Sequence, residues 1–380
     1  MRSRIRASIV VVLSLASLVL VSSDGAIAPI ANASSLADGA YLYIAHGGAL
    51  HVYRFGTWDE VETVSLPQIS DGVRGIAMDP STGALYIAHG GDGGPNGNGS
   101  LLKWDVATGT TDWDIPLPFG VDQLAACDGR VYLPTGEAAA GSTWEVLSGL
   151  DAGVLWDLNG GFSPHNTICD DGHVFMGGRQ SDYLIAKTLG FGPRIEVGPS
   201  PSAQTGVRPF TVNADDTRAF ITWTGYRGFS VADLTTGAIL ASERFGPVPD
   251  DFRPSAPSHG ISLSPDGTQV YVIDAPAQQV EVWSAGDAPT HLATIDVSGL
   301  TGLESECVYD CLRSGWLLHS LDGRYVFVGD SGDVIDTRTQ TVVGSIPTLA
   351  NDRHGFLEID WSGGAPVATS THFGTGHLAG

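Results

Sequence analysis

Residues 41–46 read YLYIAH and residues 84–89 read ALYIAH, two nearly identical apolar runs with Tyr43 and Tyr86 near their centres, 43 residues apart. Five more copies follow: RVYLPT around Tyr132, HVFMGG around Phe175, RAFITW around Phe220, QVYVID around Tyr271 and RYVFVG around Phe327, at intervals of 46, 43, 45, 51 and 56 residues. Six-residue runs rich in β-branched and aromatic residues are strands. Most copies are preceded by another strand that ends in an Asp/Gly turn, such as GIAMDPSTG, QLAACDG, NTICDDG and GISLSPDG, where those residues supply the backbone angles a tight reversal needs. Two further strands follow each copy. A four-stranded unit repeated at this length is a propeller blade. The first copy lacks an inner strand before it, and residues 354–360, HGFLEID, form an inner strand with no blade after it. The expectation is an all-β, seven-bladed propeller closed by pairing of its N- and C-terminal strands, which removes exposed sheet edges.

Arg2, Arg4 and Arg6 precede a charge-free apolar run from Ile9 to Val21, followed by small residues. That is the pattern of a secretory signal peptide, and the run is too short for a membrane span. Of the two small-x-small sites, 26–28 and 31–33, the second is preferred, giving residues 1–33 as signal peptide and 34–380 as one propeller domain. The expected location is extracellular, with no membrane insertion after cleavage. Removing three Arg and Asp24 takes the formal charge from −23 to −25. Such a chain repels phosphate backbones and anionic headgroups, which excludes nucleic acid and membrane surfaces as partners. In an oxidising compartment the four cysteines are expected to pair. Cys127 and Cys169 fall near the ends of neighbouring inner strands and should bridge; Cys307 and Cys311 suit a local disulfide.

The first residues of the inner strands crowd together at one mouth of a propeller's channel. Counting back from the Asp/Gly turns places one residue per blade in register: Arg74, Asp122, His165, Arg208, His259, Gly315 and His354. The flanks repeat too, in GVRG, GVDQ, PHNT, GVRP, SHGI and RHGF. The loops after the aromatic strands end at the same face and carry His46, His89, Arg179, Tyr226, Asp274 and Asp330. His165, His259 and His354 approach from different sides and could hold a divalent transition metal (zinc, manganese or copper) through neutral imidazole nitrogens. Asp122 would orient a ligand, and Arg74 and Arg208 offer planar forks to a carboxylate, phosphate or sulfate. Two functions follow: binding of an anionic or polar ligand, an extracellular small molecule or anionic polysaccharide, at the channel mouth; or a metal-dependent hydrolase or polysaccharide lyase using the three histidines there.

Residues 258–267 (SHGISLSPDG), 320–325 (SLDGRY) and 332–337 (GDVIDT) resemble phrases of the secreted bacterial YVTN-type, lactonase-like propellers. The likeness is close over residues 205–361 and looser before them. It implies a seven-bladed fold and an exported location. Lactonase activity is disfavoured, because the aligned ring has one Asp and no Glu, whereas lactone hydrolysis in related six-bladed enzymes rests on a carboxylate-rich metal site. The GDSG of residues 329–332 is read as a turn, there being no arranged His and Asp to activate its serine.

Overall fold

A computed structural model describes residues 36–79, 81–91, 97–137, 139, 141–170, 172–190, 192–304 and 311–370. Seven antiparallel sheets succeed one another along the chain, six of four strands and one of five, forming a seven-bladed propeller. In blade 1 the inner strand is Phe356–Ser362, paired antiparallel with Gly39–His46 from the other end of the chain. Blades 2 to 7 run in sequence, their inner strands being Val73–Asp79, Ala125–Cys127, Pro164–Asp170, Val207–Val212, Ile261–Leu263 and Trp316–His319. The segment read as a signal peptide lies outside the described residues.

The aromatic strands are buried on both faces because each is sandwiched between neighbouring blades. Leu42, Ile44 and Tyr53 of blade 1 share a core with Trp316, Phe327 and Val334 of blade 7. On the other face, Tyr43 and Leu50 pack with Ile76 and Leu85 of blade 2. Outer strands alternate or are largely exposed, as in Glu60–Ser65, so apolar content falls from the axis outward. Polar clasps tie successive blades: Gly129 N donates to Asp79 Oδ2 (2.7 Å), Trp144 Nε1 to Thr167 Oγ1 (2.8 Å) and Leu321 N to Glu358 Oε2 (2.6 Å). At the closure, Trp361 Nε1 donates to Tyr43 Oη at 2.9 Å, joining residues 318 positions apart.

One strand was not foreseen. After Phe356–Ser362 the chain reverses and Ala365–Thr369 pairs back on its axial side, and Ser370 N donates to Glu358 O. Blade 1 therefore carries a fifth strand toward the channel.

Cys127 and Cys169, separated by 42 positions in sequence, form a disulfide with Cα atoms 6.3 Å apart. It links the inner strands of blades 3 and 4. Cys307 lies outside the described residues, and so does its expected pairing with Cys311. Among the described residues no helix is long and apolar enough to cross a membrane.

A cross-link that closes a loop of this length restricts the unfolded chain and stabilises by about 2–4 kcal/mol. Replacing Cys127 and Cys169 together by Ala should lower the unfolding free energy by that amount in denaturant titration; a variant as stable as the parent would show that the bridge adds nothing to the inter-blade packing.

Candidate functional site

The inner strands begin at one end of the channel, and their first side chains meet across blade boundaries. His165 Nδ1 lies 2.6 Å from Asp122 Oδ2, and Arg74 Nη2 lies 3.7 Å from Asp122 Oδ1. The rings of His165 and His259 are 6.2 Å apart, those of His259 and Trp316 5.6 Å, and those of Trp316 and His354 5.3 Å. The circuit runs Arg74, Asp122, His165, His259, Trp316, His354, with Arg208 set between His165 and His259 in chain order. Arg208 donates from Nε to Thr224 Oγ1 (2.9 Å) and from Nη2 to Ser255 Oγ (2.5 Å), both uncharged hydroxyls.

Blade 7 breaks the pattern for a steric reason. Gly315 has φ +83°, and a Cβ there would fall 2.2 Å from Ile273 Cδ1. A side chain is therefore excluded, and the backbone serves instead: Gly315 O accepts from His259 Nδ1 at 3.1 Å, and Gly315 N donates to Asp330 Oδ2 at 2.9 Å. The Gly after the ring residue in GVRG answers a similar crowding, since a Cβ on Gly75 would lie 2.9 Å from Gln123 Cα of the next blade.

Burial alone would raise the Asp122 carboxyl, but the His165 ring and the Arg74 guanidinium outweigh it and hold Asp122 well below the usual carboxylate range. Burial pushes His165 down to about 4 against the pull of Asp122. Burial also holds His259 and His354 well below the ordinary histidine value, with Arg353 and Arg74 respectively reinforcing it. The three imidazoles are thus neutral at physiological pH. With an ionised Asp122 as acceptor, His165 carries its proton on Nδ1, so Nε2 presents a lone pair. That Nε2 is buried with no hydrogen-bond partner, as are His354 Nδ1 and Arg74 Nε.

Two groups absent from the aligned ring enter from loops. Glu137, after the strand Arg130–Thr135, contacts Arg179 as an ion pair. Burial and the Asp122 charge push its carboxyl up to about 8, Arg179 opposing, and its Oε2 is buried without a partner. Among the described residues, the set of three ligand-bearing groups whose donor atoms lie within 4.8 Å of one another is Asp122, Glu137 and His165. His165, His259 and His354 surround the mouth but are not gathered into such a set. The second group is built on Arg353, which donates to Glu304 Oε1 (2.5 Å), Leu312 O (2.6 Å) and Asp330 Oδ2 (3.3 Å). Glu137 sits in the non-repeating GEAAAG, where no register argument reaches it.

The loop residues fare differently. His46 is partly exposed, with Nδ1 3.9 Å from Asp352 Oδ2. His89 is held between Asp71 (2.9 Å) and Asp114 (3.0 Å). Tyr226 is buried in the core of blade 5 beneath the Arg244 guanidinium, 4.7 Å from the ring centre. Asp274 receives both arms of Arg227 at 2.7 Å. Each lies one strand farther out than the ring residues, about 4.8 Å along the sheet. The turn at residues 329–332 places Asp330 at φ +65° with its carboxylate capping Ser314 N and Gly315 N, a structural role.

No protein-family model matches the sequence, and no curated protein does. Solved structures match the fold. A functionally unknown protein from Desulfotomaculum acetoxidans DSM 771 aligns with TM-score 0.63 at 10% identity, over 83% of this chain and 97% of that one. Dihydro-heme d1 dehydrogenase NirN aligns with TM-score 0.55 at 13% identity, over 83% and 65%. Hydrazine synthase from Kuenenia stuttgartiensis aligns with TM-score 0.51 at 13% identity, over 70% and 77%. At these identities the likeness is one of fold.

The Arg353 cluster sets a pH dependence. Burial pushes Glu304 up to about 8, Arg353 opposing and Asp330 adding to it; burial pushes Asp352 up to about 7. Folded values above the unfolded ones give stability that is complete below the ordinary carboxyl values of 4.5 and 3.8 and is lost progressively as pH climbs from there to 7 to 8. Glu304→Gln, neutral throughout, should flatten the fall in thermal midpoint between about pH 5 and 8; an unchanged slope would assign that fall to other groups.

Proposed function

We propose that this chain is an exported propeller, akin to the YVTN-type proteins, that binds an anionic ligand at the mouth of its central channel. The observation that carries the reading is Arg74: among the described residues its Nε is buried without a partner, and its ion pair to Asp122 is long at 3.7 Å. A largely shielded guanidinium with an unused Nε donor accommodates a planar anion through charge-assisted hydrogen bonds. Arg208, engaged with hydroxyls, supplies a second positive charge, and the unpartnered nitrogens of His165 and His354 stand ready for a ligand's hydroxyls. A disulfide and a secretory-type N-terminus fit an extracellular setting.

Calorimetry with glucuronate, citrate and sulfate tests it. At least one should bind the wild type, and Arg74→Gln should weaken it about tenfold or more, the worth of a charged hydrogen bond. Binding that ignores Arg74→Gln, or no binding at all, overturns the reading.

A second reading, a metal-assisted hydrolase or lyase, is favoured by Asp122, Glu137 and His165, whose donor atoms lie within reach of a common cation. His165 Nε2 and the Glu137 carboxylate are ligands suited to zinc or manganese, with Asp122 fixing the His165 ring from behind. Elemental analysis after incubation with zinc, manganese or copper decides it. One metal per chain, lost in His165→Ala and Glu137→Gln but kept in His259→Ala and His354→Ala, supports this set; loss in all three histidine variants would restore the three-histidine centre, and no metal would remove both.

A further inference from the structure

Beside the ring, between blades 3 and 4, the same end of the propeller opens into a cavity of about 560 Å³. That is within the size range of sites for small organic ligands, roughly 300–1,000 Å³. Its walls come from the loop after Arg130–Thr135, from the connection entering blade 4 and from the turn after His173–Gly178. Glu137, Ser142, Asn159, Phe162, Ser163 and Gln180 line it. Glu137 is the point of contact with the ring: it pairs with Arg179, clusters with Asp122 and His165, and keeps a buried Oε2 without a partner.

Two features define what would fit. Glu137 is the one ionisable residue in the lining, and it already contacts Arg179, so the cavity offers no free charge to balance an anion or a cation. Its other groups are hydroxyls and amides, which hydrogen-bond to polar uncharged ligands. At the rim stands Phe162, with 74% of its surface exposed. An aromatic ring beside a polar pocket offers a flat apolar face on which a ligand that also carries hydroxyls can lie. The ring is not on a loose tether: Gln180 N donates to Phe162 O and Arg179 N to Ser163 O (3.3 and 2.8 Å). Ser163 takes the left-handed φ of 56°, which a non-glycine residue adopts only when its surroundings hold it there. A flat apolar face with a rim of hydroxyls is the shape of a pyranose ring, and a lining that combines one aromatic ring with hydroxyl and amide groups is its complement.

We propose that this cavity is a second subsite that takes an uncharged sugar unit of an acidic oligosaccharide, whose charged unit occupies the Arg74 side of the mouth. The extension rests on the anion-site reading above and names its ligand class. The charged unit is held by guanidinium groups on the axis and the neighbouring unit by Phe162, Asn159 and Gln180, with Glu137 between the two.

The test is calorimetry of the full chain with two probes, glucuronate and a hyaluronan tetrasaccharide, in which glucuronate alternates with an uncharged sugar. The tetrasaccharide should bind at least tenfold more tightly. Phe162→Ala and Asn159→Ala, both at the surface and checked for an unchanged thermal midpoint, should each erase most of that preference while leaving glucuronate affinity as it was. Arg74→Gln should weaken both probes. A tetrasaccharide no tighter than an Arg74-dependent glucuronate, or pocket variants that weaken both probes alike, overturns the second subsite alone. Insensitivity of both probes to Arg74→Gln, or binding of neither, overturns the axial reading and this one with it.

Discussion

Everything in this molecule depends on one pairing, that of Phe356–Ser362 with Gly39–His46. A propeller blade buries both faces only when it has a neighbour on each side. Without the last inner strand, blade 1 would lose its axial hydrogen-bonding partner, and the cores it shares with blades 2 and 7 would open. Closure also fixes where the axis is, because seven inner strands can surround a channel only if none is missing. His354 reaches the ring solely through this pairing, lying two residues before Phe356. The Trp361 to Tyr43 hydrogen bond and the strand Ala365–Thr369 fasten the same junction.

Convergence on the axis has a cost that the sequence had to meet. Side chains that start seven neighbouring strands are forced within contact distance of one another, and here they are polar. Burying three imidazoles among arginines is tolerable because desolvation keeps the rings neutral. Burying Asp122 is tolerable because His165, Arg74 and the Gln123 amide surround it. Beside Arg353, burial of Glu304 and Asp352 is met by carboxyl pKa values raised toward protonation. Blade 7 has no room for a polar ring side chain at all, so Gly315 contributes its backbone and Trp316 an aromatic wall.

The fold was legible because it is written seven times. Strand length, turn chemistry and the position of one aromatic residue recur, and agreement among copies outweighs ambiguity in any one. The register of the inner strands was legible for the same reason, and so was the Cys127–Cys169 bridge, since both cysteines occupy equivalent places in adjacent copies. What the repeat does not encode was invisible. Glu137, Glu304 and Arg353 reach their places through loops or through the one residue that precedes a ring position, and which way such side chains turn is decided by tertiary contacts. The expectation of a carboxylate-poor mouth came from counting only residues in register; Glu137 alters it. His89, Tyr226 and Asp274 were drawn in by a rule that their strands end at the right face, which says nothing about distance from the axis. Asp71 and Asp114, Arg244, and Arg227 are the neighbours that engage them.

The charge balance narrows what can bind. The chain as a whole is strongly acidic, so its far field repels polyanions and slows their approach. An anion that binds must therefore be recognised at contact range, and the groups able to meet its charge are few. His165, His259 and His354 cannot, because burial holds each well below the ordinary histidine value and keeps its ring neutral at physiological pH. That leaves guanidinium groups, whose fixed planar donors distinguish a carboxylate or sulfate by shape as well as by charge. A site of this kind discards most anions for lack of geometric fit before affinity is considered. Discrimination among those that remain then falls to whatever uncharged surface adjoins the arginines, and at this mouth that surface is the wall between blades 3 and 4.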